Sequence, residues 1–182
     1  MDNVFKGKIE GEEIKEGNAV LVVVPAKKLI EINTEILKWY ILKKNYGVVY
    51  VTVNKPFSTL IDAFQQEKID TKKIFIIDAI SPRSVRAGNA VFIGSPKELT
   101  NISITTTSAI KKMKSARILV FDSISTLLVY NNFNVVKDFV HFISNEMKSL
   151  KVTFVMTCIK EMTDKKTIAE LRAFVDDIVE IE

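Results

Sequence analysis

Apolar runs and amphipathic stretches alternate along almost the whole chain. Ala19–Val24 (AVLVVV) is an unbroken apolar run, as expected for a strand covered on both faces. From Ala26 to Lys44 the period changes. Leu29, Ile32, Ile36 and Tyr40 fall on one line, with Ile30, Leu37 and Ile41 beside it. That spacing predicts a helix with an apolar face wide enough to lie flat on a sheet. GVVYVTV, from Gly47, predicts a second strand, Pro56 opens a short helix (PFSTLIDAFQQ), and KIFIIDAI predicts a third strand. SPRSVRAGNAVFIGS reads as a loop with a short strand at Val91–Ile93. A further helix is expected from SPKELTNIS, where Ser95 and Glu98 have the spacing of a capping box and Pro96 takes the first helical position. ARILVFD is a fourth strand. An amphipathic helix follows in FNVVKDFVHFISNEMKSL, with Val136, Phe139, Val140, Ile143, Met147 and Leu150 at helical spacing. KVTFVMTC is a fifth strand, KKTIAELRAFV a helix and DIVEIE a closing strand. Met1 to Asn18 is a polar lead-in, with a short hairpin expected. The alternation predicts a single α/β domain over residues 1–182, a doubly wound and largely parallel sheet with helices on both faces.

Composition narrows the picture without changing it. At 182 residues, 47% hydrophobic and 26% charged, the chain can build one sizeable core without staples. Its one cysteine, Cys158, lies in the apolar run VTFVMTC and reads as a buried thiol in a reducing compartment. No leader pattern or membrane-length apolar run is seen, so the sequence reads as cytoplasmic with no membrane partner. The net charge is +4. Lysines gather at Lys27-Lys28, Lys43-Lys44 and Lys111-Lys112-Met113-Lys114, but no stripe with interleaved aromatics appears. These read as solvated surface, and a nucleic-acid partner is not expected.

The chemistry of such a sheet belongs beyond the carboxyl ends of its strands. Pro25 to Lys28, Asn54-Lys55, Asp78, Asp122-Ser123 and Cys158 to Lys160 fall there. Two strands end in aspartate, IFIID and ILVFD. The second, followed by Ser123, has the form of a Walker B element, whose aspartate holds a magnesium ion on ATP phosphates. Cradling those phosphates also needs inward N–H groups, hence glycines, with a lysine and a hydroxyl at fixed spacing. The chain has six glycines, none between Asn18 and Tyr46, and G-x-x-x-x-G-K-[ST] occurs nowhere in it. Lys27 and Lys28 at the helix start, and Arg83 and Arg86 after the third strand, are candidate anion ligands; plain surface charge is the commoner use of each. His141 is the only histidine and has no companion ligand nearby in sequence, so packing or surface placement is expected and no metal site. Ser123, Ser125 and Thr126 form no nucleophile elbow, and Trp39-Tyr40 reads as core.

GVVYVTVNKPFSTLIDAFQQEKIDTKKIFIIDAIS, followed by RILVFDSISTLL, KVTFVMT and FVDDIVEIE, resembles the KaiC branch of the RecA-fold ATPases in the order and spacing of its motifs. The likeness runs from about Ala19 to Glu182. It implies the P-loop NTPase fold. Counted back without a gap from KKNYGVVYV, it sets Val24 and Leu29 at the family's two phosphate-loop glycines, Ile30 at the phosphate lysine and Glu31 at the magnesium-binding hydroxyl. Asn54 and Lys55 fall where the family has paired glutamates, one of which activates water. Only Asp122-Ser123 matches the catalytic set. Lys27, Lys28, Ile30, Glu31, Asp122 and Ser123 are then vestigial nucleotide-site positions around a degenerate Walker A. The combination is similar to inactivated archaeal members with signalling roles. The resemblance implies a pseudo-ATPase without catalytic residues or cofactor, ATP and magnesium not being expected. It would act through a protein partner, a second copy or an active KaiC/RecA-like paralogue. Two alternatives stay open: a nucleotide or anion binder using Lys27, Lys28, Arg83 and Asp122, and a nucleic-acid-binding recombinase relative using Lys111 to Arg117. The turn itself discriminates: a helix under way by Lys28 leaves no room for a phosphate.

Overall fold

The computed structural model describes residues 14–85 and 87–182. The lead-in over residues 1–13, its expected hairpin and Arg86 lie outside the described residues. Among the described residues seven strands, all parallel, form one sheet in the order β4-β3-β2-β5-β6-β1-β7. They are β1 (Ala19–Val24), β2 (Gly47–Thr52), β3 (Ile74–Asp78), β4 (Ala90–Phe92), β5 (Ala116–Asp122), β6 (Thr153–Ile159) and β7 (Asp177–Glu180). The helices are α1 (Leu29–Lys38), α2 (Phe57–Gln66), α3 (Leu99–Lys112), α4 (Ile124–Tyr130), α5 (Phe133–Ser149) and α6 (Lys165–Leu171).

Strand alternation splits the core into two layers. Leu21, Val23, Val49, Val51, Leu119, Phe121, Phe154 and Met156 face one side and pack under α3, α4, α5 and α6. Val20, Val22, Val48, Tyr50, Ile118, Val120 and Val155 face the other and pack under α1 and α2. Both sides are covered, which is why β1, β2 and β6 are buried at every position and read as continuous apolar runs. The Tyr50 and Phe64 rings meet edge to face at 5.5 Å, tying α2 to the sheet centre.

Three local expectations are corrected. The helix after β1 does not stay α-helical to Lys44. Its last turn, Trp39–Lys43, widens to i→i+5 bonding, with the Lys44 N–H on the Trp39 carbonyl, before Asn45 turns the chain at φ 59°. The capping box at Ser95 does not form. The Ser95 hydroxyl accepts from Lys97 N–H, the helix begins at Leu99, and the Glu98 carboxylate is drawn away to Arg83 and Asn101. Helix α4 was not foreseen; its seven residues follow β5 directly, capped by the Ser123 hydroxyl on Thr126 N–H. Tyr40 is core as expected, while Trp39 is half-buried with the Lys44 ammonium 5.7 Å from its ring centre. His141 is exposed and leans on Phe174. Among the described residues no helix is long and apolar enough to cross a membrane.

Candidate functional site

The carboxyl ends of β1, β6, β5, β2 and β3 converge on one rim, as the topology requires. On it, β1 hands over to α1 through a single extended residue, Pro25. A tight 3-10 turn, Ala26–Lys28, follows at once, with the Lys28 N–H on the Pro25 carbonyl at 2.9 Å. The helix is thus under way before Lys28, and no loop intervenes. At this end the Ala26 N–H would ordinarily look for an anion. It finds one within the chain, the Glu161 carboxylate, 2.9 Å away, which arrives from the turn after β6. That bond, with the nearby Lys160 and Lys27 charges contributing less, holds the Glu161 carboxyl below its ordinary pKa.

The positions picked out by the resemblance lie around this turn. Lys27 is exposed. The Lys28 ammonium donates to the main-chain oxygen of Glu182 at 2.6 Å, so it ties the chain's last residue to the turn. Ile30 packs half-buried on the core layer under α1, and Glu31 is exposed.

Asp122 ends β5 and is 1% exposed. The Tyr50 hydroxyl donates to its Oδ2 at 2.8 Å, while Oδ1 has no partner. Burial pushes the Asp122 carboxyl above the usual carboxylate range. The Tyr50 hydroxyl, the Asn54 and Asn33 amides and the Lys55 charge pull it partly back. Tyr50 in turn is raised well above an ordinary phenol by burial and by Asp122. The Asn33 amide, wholly buried on α1, is close enough to act on the Asp122 charge, yet neither of its atoms makes a hydrogen bond of ordinary geometry among the described residues. Asn33 is the member of this cell that sequence reasoning missed. Its signal was a polar residue inside the apolar stripe Leu29, Ile32, Ile36. Ser123 is buried and caps α4.

Asp78, the other strand-ending aspartate, is a structural knot. Its Oδ1 accepts the Ile80 and Ser81 N–H groups and its Oδ2 the Phe57 N–H and Ser81 hydroxyl, at 2.6–2.8 Å. Arg83, a candidate anion ligand, is committed to Glu98 and, through Nε, to the Ile93 carbonyl at 2.6 Å. Cys158 is buried, and the adjacent Ser125 hydroxyl accepts the Ile159 N–H at 2.6 Å and meets the Thr163 hydroxyl at 2.8 Å.

A magnesium–triphosphate needs open inward N–H groups and an accessible carboxylate. The residues present do not fit that demand. The first N–H of the turn is taken by a carboxylate, Glu31 adds another acidic group to the same helix, and Asp122 is sealed beneath Tyr50.

No individual curated protein matches the chain. The family model of the KaiC ATPase matches residues 37–180, a span that begins after the β1–α1 turn and takes in every strand except β1. With that match, the parallel sheet and the strand-ending Asp122, the chain belongs to the KaiC ATPase family.

Proposed function

We propose that this member of the family does not turn over ATP and works as a regulatory or signalling module through protein contacts. The observation that carries the reading is the Glu161 carboxylate on the Ala26 N–H: an internal anion stands where a phosphate would approach the helix. Three further facts support it. Isoleucine and glutamate occupy the positions the resemblance gives to the phosphate lysine and the metal-binding hydroxyl. Asn54 and Lys55 follow β2 in place of a general base. The family match leaves the turn out.

Calorimetry with Mg-ATP and Mg-ADP tests the reading. The expected result is binding weaker than about a millimolar, roughly −4 kcal/mol. Micromolar binding would favour the nucleotide-binder alternative. ATP turnover that is lost in Asp122→Ala would overturn the pseudo-enzyme reading outright.

A further inference from the structure

In an all-parallel sheet the residues preceding every strand share one end, and here the helices run back to that end as well. That end is the one opposite the rim described above. Lys43 and Lys44 precede β2, Lys68 and Lys72 precede β3, Lys114 precedes β5 and Lys151 precedes β6. All six are exposed, and none makes an ion pair among the described residues. The clusters look scattered in sequence, and the topology gathers them.

The same end narrows the partner's chemistry. Leu42, beside Lys43, is 58% exposed, an apolar side chain next to the lysines. The nearby aromatic rings are already engaged. Tyr46 stacks on Tyr40 and gives its hydroxyl to Glu16 at 2.8 Å, and Trp39 lies under Lys44. Among the described residues at that end, no aromatic face is left for a nucleobase to stack on. Glu16, Glu67 and Asp70 interrupt the lysines along the chain, so the positive charge is discontinuous, which suits a few spaced carboxylates better than the unbroken charge of a phosphate ladder. One leucine buries too little to hold a lipid surface.

We infer that the amino-terminal end of the sheet is a docking surface for an acidic protein segment that also carries apolar side chains. This rests on the reading of the chain as a protein-contact module and names its partner's chemistry.

The test uses the full chain and a fluorescent peptide of alternating glutamate and leucine, followed by anisotropy. Two charge reversals, Lys43→Glu with Lys44→Glu, and Lys72→Glu with Lys114→Glu, are compared with Lys165→Glu and Lys166→Glu at the opposite end. Thermal melts establish that each variant is folded. Each of the first two pairs is expected to weaken the peptide by at least about tenfold, and added salt to weaken it steeply. The control pair should leave it unchanged. Equal peptide affinity in all variants would overturn the inference. So would the absence of peptide binding at low salt. Tighter binding to a poly-dT oligonucleotide, or to phosphatidylcholine–phosphatidylserine vesicles, lost through the same lysines, would overturn it in favour of that partner. ATP turnover is measured in parallel: turnover with intact peptide docking removes the pseudo-enzyme reading alone, and its absence with no docking removes this inference alone.

Discussion

Replacing Asp122 by asparagine should make the protein more stable at neutral pH. The wild-type cell holds an Asp122 Oδ1 without a partner and an Asn33 amide without one at either atom, all buried. An unsatisfied buried polar group costs about 1–3 kcal/mol. Asparagine has the same shape. Its oxygen still accepts from the Tyr50 hydroxyl, and its amide can donate toward the Asn33 oxygen, so the charge and two orphaned atoms are removed together. The expected gain at pH 7 is about 1–3 kcal/mol, which for a chain of this length raises Tm by about 3–9 °C. The pH dependence has a definite sign. Burial raises the folded pKa of Asp122 above its unfolded value of about 3.9. The native state therefore keeps its proton after the unfolded chain has lost it. This contribution is fully present below about pH 4 and is lost as pH rises through the folded pKa. Urea unfolding of both proteins from pH 4 to 8 measures it: the gap between variant and wild type should widen with pH. A variant less stable than wild type at pH 7, or a gap that does not change with pH, would refute the reasoning.

Tyr50→Phe should cost about 1.5–3 kcal/mol at pH 7, because it strips the Tyr50 hydroxyl's hydrogen bond from a buried carboxylate; in the Asp122→Asn background, urea melts should show a smaller loss. Asp78→Ala removes the acceptor of four hydrogen bonds at once and should cost about 3 kcal/mol or more by chemical denaturation. Gly94→Ala should destabilise by about 1 kcal/mol or more, since Gly94 sits at φ +89° with the Arg83 side chain 3.2 Å from where a Cβ would stand. Asp176 is held below the ordinary carboxyl pKa first by the Ala19 N–H and then by Lys148. It therefore adds stability above about pH 4 that falls away as acid titrates it, and in Asp176→Asn the acid limb of a stability–pH curve should be flatter.

What was legible in the sequence follows the range of the interaction. β1, β2 and β6 were legible because strands covered on both faces need apolar residues at every position. The β1–α1 turn was legible as a turn, since Pro25 and Ala26 end one period and begin another. Its real anion was not. Glu161 lies 135 residues from Ala26, and no local pattern links them. The capping box at Ser95 failed for the same reason: a local signal at Glu98 lost to an arginine fifteen residues away that the fold brings alongside. α4 escaped because ISTLLVY is too short to show a helical period. Asp122 was legible through ILVFD, but its sealed state was not, since Tyr50 lies 72 residues earlier on a neighbouring strand.

The strand order also carries a history of assembly. Among the described residues β1 pairs only with β6 and β7, which are made after the other strands of this sheet. During synthesis β2, β3, β4 and β5 can join as neighbours, while AVLVVV waits for β6 until residue 159 has emerged. Closing so long a loop is slow. Meanwhile an apolar, β-branched segment without charge stays open to mispairing with other chains. Refolding yield should therefore fall as protein concentration rises, with AVLVVV as the first place to shield.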